Sequence, residues 1–93
     1  MTLAHPVNLQ RAQDEAVGHA LRNLMDAVVA DGRDISLNVH VSDRLLPRRR
    51  SVTLVDWTLG ANRRGITEAS ADLALALDTV RDRLNRDDWK DRS

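Results

Sequence analysis

The chain has 93 residues, 14 of them basic and 14 acidic, and no cysteine. That length holds one domain and not two. The balanced charge gives no global pull toward nucleic acid or a membrane surface, and the lack of cysteine excludes disulfides and thiolate metal sites. Leu, Ile and Val are frequent enough to favour folding over disorder, but Phe and Tyr are absent and Trp57 and Trp89 are the only aromatics. A domain of this size buries only about 60–65% of its unfolded surface. An aliphatic core this light would gain from burial against a second copy, so a homodimer is expected.

Residues 8 to 30 read as one long helix. Leu9, Ala12, Ala16, Ala20, Leu24 and Val28 recur at helical spacing, widened by Val17, Leu21 and Met25. Asn8 suits the N-cap, and Asp31-Gly32 suits the end, where glycine accepts a left-handed cap. Residues 35 to 42 alternate strictly: Ile35, Leu37, Val39 and Val41 against Ser36, Asn38, His40 and Ser42. That is a strand with one buried and one open face. A second strand is expected at about 51 to 59, but its alternation slips between Val52-Leu54 and Val55-Trp57-Leu59. A bulge near Leu54-Val55 would repair the pattern and turn Asp56 outward. The connection, residues 43 to 50, is Arg-rich.

After Gly60 comes a polar link holding Arg63, Arg64 and Gly65, and Thr67 reads as the N-cap of a second helix running to about 86. Leu73, Leu77, Val80 and Leu84 form its apolar seam. The expected fold is therefore α+β in the order α-β-β-α, a two-stranded antiparallel hairpin packed against two long helices. A lone ribbon of two strands is marginal in water and leaves both edges unpaired. Pairing two copies into a four-stranded sheet would answer both problems. The whole chain, 1–93, reads as a single domain with an ordered core at 7–87 and tails at 1–6 and 88–93. No apolar run approaches the roughly 20 residues of a membrane span, and Met1 to Pro6 lacks the features of a secretory signal. No membrane association and a cytoplasmic location are expected.

Catalytic signals are weak. His5, His19 and His40 have no second ligand at a familiar metal spacing, and a solvated histidine on an open strand face needs no special role. The adjacent carboxylates Asp14-Glu15 and Asp87-Asp88 diverge on a helix, and no glycine loop suited to phosphate is present. No enzyme, cofactor or metal is expected; a His40–Asp56 pair is the distant third reading. The residues least explained by a core are Leu45, Leu46, Arg48, Arg49, Arg50 and Trp89, which are the candidates for contact with a protein partner. Folding back onto the core is the plain alternative for the leucines and for Trp89.

The runner-up reading is nucleic-acid binding through Arg44, Arg48, Arg49, Arg50, Arg63 and Arg64. From Arg44 to Arg64 the chain holds six Arg and one acid, Asp56, and a β-ribbon can enter a groove. If the second strand pairs antiparallel with its own copy, the two basic clusters join into one continuous edge, whose mutual repulsion an anion would relieve. Against this, charges also serve to solvate a loop and protect a strand edge. Every basic residue except Lys90 is Arg, a bias that GC-rich coding also produces.

Overall fold

The structure, a computed structural model, describes residues 6–42 and 49–91, with side chains for 11–41 and 50–90. Helix α1 (Pro6–Asp31) leads into β1 (Ile35–Ser42), β2 (Arg49–Asp56), a 3-10 turn at Gly60–Asn62, β3 (Arg64–Ser70), helix α2 (Leu73–Asn85) and a two-residue strand β4 (Lys90–Asp91). The strands lie in the order β1-β2-β3-β4 and all pair antiparallel. Helix α2 packs on β2 and β3, and α1 packs against α2.

Two sequence expectations hold closely. Strand β1 has the expected bounds, and α1 ends at Gly32, whose φ of 79° is the left-handed geometry that glycine takes without penalty. The α-β-β-α order does not hold. The segment read as a link and helix start is β3, so the sheet has three full strands and the short β4, and the order is α-β-β-β-α-β. The cap of α2 is Asp72, not Thr67: its carboxylate accepts from Ala74 N at 3.0 Å and Leu75 N at 3.3 Å. The Thr67 hydroxyl instead bonds the Thr53 hydroxyl across the sheet at 3.2 Å.

The expected bulge is also absent. From Ile35↔Asp56 to Ser42↔Arg49, and from Arg50↔Ser70 to Asp56↔Arg64, every pair stays in step. One face of the sheet therefore carries Ile35, Leu37, Val39 and Val41, then Val52, Leu54 and Asp56, then Arg64, Ile66 and Glu68. This face meets the helices, and Leu24, Val52, Leu54, Ile66, Leu77 and Val80 are its closed core. Asp56 consequently points inward, not outward. Val55 takes the other face and is still buried: it lies in register between Ser36 and Gly65, and at the same end of the sheet Trp57 Nε1 donates to Ser36 Oγ at 2.9 Å.

Candidate functional site

The two long edges of the sheet differ in how they are treated. Trp57 N–H donates to the Asp34 carbonyl at 2.8 Å, which sets the phase of the β1–β2 ladder. Antiparallel ladders alternate residues facing the neighbour with residues facing away. Ser36, Asn38 and His40 therefore turn their backbone groups to β2, whereas Ile35, Leu37, Val39 and Val41 turn theirs outward. By the same alternation the outward residues of β3 are Gly65, Thr67 and Ala69.

That β3 edge is closed over most of its length. Gly65 pairs with Lys90 of β4, and the Thr67 carbonyl accepts from Arg83 Nη1 at 3.3 Å. Arg83, almost buried, also holds Glu68 at 3.0 Å and Asp88 at 3.2 Å. The β1 edge has no strand neighbour among the described residues. It also lacks the devices that normally blunt an edge: Ile35–Ser42 contains no Pro, Lys, Arg, Asp or Glu and no bulge. Val39 and Val41, on the helix side of this strand, are left 44% and 49% exposed. An eight-residue uncharged edge with half-bare valines beside it is a surface suited to another strand.

The end of the sheet near Gly32 holds a charge cluster. Asp56, 1% exposed, accepts from Thr58 N at 3.0 Å and Arg64 Nη2 at 3.2 Å, with Arg33 Nη1 at 3.8 Å. Burial raises its pKa, but the Thr58 hydroxyl and amide, then Arg64 and Arg33, outweigh that and hold the carboxyl below its ordinary value. Arg33 is gripped by Asp31 at 2.6 Å, which lowers the Asp31 pKa and raises that of Arg33. The guanidinium carbons of Arg33 and Arg64 lie 5.2 and 5.6 Å from the centroid of the Trp89 ring. The segment after Asp87 is thus tied to the core by Trp89 and β4.

These contacts sort the sequence candidates. Trp89 is half-buried against the core and engaged within the chain. Arg64 is committed to Asp56, and Arg50 donates from Nη1 to the Ala71 carbonyl at 2.8 Å. Arg63 lies over Trp57, 5.1 Å from its centroid, outside the helix-covered face. Leu45, Leu46, Arg44 and Arg48 lie outside the described residues, and Arg49 is described by its backbone alone, in register with Ser42. His40 is exposed opposite Ser51, while Asp56 is buried on the other face opposite Ile35, so the two are not brought together. Pairing of β2 with its own copy is excluded, because both sides of β2 are filled; the joined basic edge goes with it.

Among the described residues no group of three or more His, Asp or Glu could hold a metal ion, and no helix is long and apolar enough to cross a membrane. A groove of ≈ 600 Å³ runs between α1 and the start of α2, walled by Ala12, Ala16, Val17, Leu73 and Arg50. No family model, curated protein or solved structure matches this chain. The β1 edge is the feature that sequence reasoning did not single out. Its uncharged run was visible, but which edge stays open depends on β3.

Proposed function

We propose that this chain is a small, non-enzymatic binding and regulatory protein that works through protein–protein contact as a homodimer. The observation that carries the reading is the asymmetry of the sheet among the described residues: one edge is closed over most of its length by β4 and Arg83, while the other presents uncharged backbone beside half-exposed Val39 and Val41. A monomer would leave four residues' worth of outward backbone groups on an apolar strand, a template for uncontrolled pairing. A specific partner removes that hazard and covers the valines. Sedimentation at micromolar concentration should return twice the monomer mass of 10.4 kDa; a stable monomer across that range would end the homodimer reading.

A second reading, nucleic-acid binding, is supported by the sheet face that no helix covers. Its described strand positions are Ser36, Asn38, His40, Ser51, Thr53, Val55, Gly65, Thr67 and Ala69, without one acid, and Arg63 stacks on Trp57 at its end. Hydroxyl and amide groups with one exposed guanidinium suit phosphate and base contacts on a flat platform. This reading predicts retention on single-stranded oligonucleotide at low salt, lost as salt rises, and weakened several-fold by Arg63→Ala. No retention at low salt would remove it.

A further inference from the structure

We propose that β1 of a second copy fills the β1 edge, running antiparallel across a two-fold axis at Asn38. The inference rests on the homodimer reading and names its interface. Antiparallel partners must share both a face and a hydrogen-bonding phase, so outward residues must meet outward residues. With the axis at Asn38, Ile35 faces the partner's Val41 and Leu37 faces the partner's Val39. Symmetry repeats both pairs, and each of the four exchanges two backbone hydrogen bonds, so no outward group of these residues is left over. Moving the axis to Val39 sets Ile35 opposite residue 43, and moving it to Leu37 sets Val41 opposite Arg33; each uses less of the strand.

Side chains agree with this register. On the helix side the half-exposed Val39 and Val41 meet Leu37 and Ile35, which already pack against the core. On the bare face Ser36 meets His40, and Asn38 meets its own copy, where two amides can bond reciprocally. No formal charge lies in Ile35–Ser42, so self-pairing brings no like charges together. The sheet would then run unbroken through both copies, with helices on one side only.

The absence of cysteine lets the register be read directly. Asn38→Cys puts two thiols at the axis in a non-hydrogen-bonded pair, about 4.5 Å between Cα atoms, within disulfide reach. Oxidised Asn38→Cys should run as a covalent dimer on a non-reducing gel. Ser36→Cys alone should not crosslink, but should do so when mixed with His40→Cys. Val39→Lys should keep the circular dichroism spectrum and lose the dimer in sedimentation, whereas Ala69→Lys on the opposite edge should keep both. Equal crosslinking of Asn38→Cys and Ser36→Cys overturns the register. A dimer that survives Val39→Lys with Asn38→Cys uncrosslinked overturns the β1 interface and leaves the homodimer standing. Sedimentation of the unmodified chain as a monomer overturns both.

Discussion

Leu54→Ala is expected to lower stability by about 4 kcal/mol, the upper part of the range for truncating a buried leucine. Leu54 is fully buried in the central strand, paired with Leu37 on one side and Ile66 on the other and covered by α2. Its neighbours are fixed from three directions, so the void cannot collapse, and the lost transfer energy and the cavity cost add. Domains of this size are stable by only about 5–15 kcal/mol in total. At about 4–8 °C per kcal/mol, the midpoint should fall by roughly 20 °C. Leu75→Ala makes the contrast: Leu75 sits on α2 but is 57% exposed, and Ala is the better helix former, so a change within about 0.5 kcal/mol is expected. Thermal melts followed by circular dichroism at one fixed protein concentration decide the matter, because a dimer's midpoint shifts with concentration. Equal losses for the two variants would mean that the core is not centred on β2.

Why Leu54 matters so much was only half legible in the sequence. Strand β1 and helix α1 announce themselves because their inward positions are nearly all apolar. Strand β3 does not: its inward positions run Arg64, Ile66, Glu68, Ser70, one apolar residue in four. The sheet tolerates that because the two inward charges at its rim are answered from other elements, Arg64 by Asp56 and Glu68 by Arg83. Ion pairs between different elements leave no periodic trace, so a polar strand and a polar link look alike. The same blindness produced the expected bulge. An apolar Val55 points by pattern to the helix side, yet it is buried on the other face, in register between Ser36 and Gly65. With β3 hidden, both edges of a two-strand ribbon looked open. With β3 beside β2, the edge without a strand neighbour among the described residues is that of β1. The Arg-rich connection, by contrast, was legible as composition only, and of its candidates Arg50 proves to be tied to Ala71.

The second large effect is expected at Asp56. Asp56→Ala should cost about 3 kcal/mol, the lower end for removing one partner of a buried ion pair, since the side chains of Arg33 and Arg64 keep 27% and 26% of their exposure and can turn partly to water. What remains is two guanidiniums sharing the Trp89 ring without the carboxylate between them, and a Thr58 amide without its acceptor. Asp56→Asn keeps the shape and some of the hydrogen bonding but loses the charge, so it should fall between. The pH dependence separates charge from packing. The folded carboxyl has its pKa below the ordinary value of 3.8, so its contribution is complete above the unfolded pKa and drains away as pH falls through the folded one. The gap in stability between the unmodified chain and Asp56→Asn should therefore stay level from neutral pH down to about 5 and narrow below about 4. Asp31, lowered in the same direction by Arg33, keeps some acid sensitivity in the variant, and adding Asp31→Asn should flatten the profile further. A gap that stays constant through the acid range would show that Asp56 acts through shape alone and that the arginine cluster does not depend on its charge.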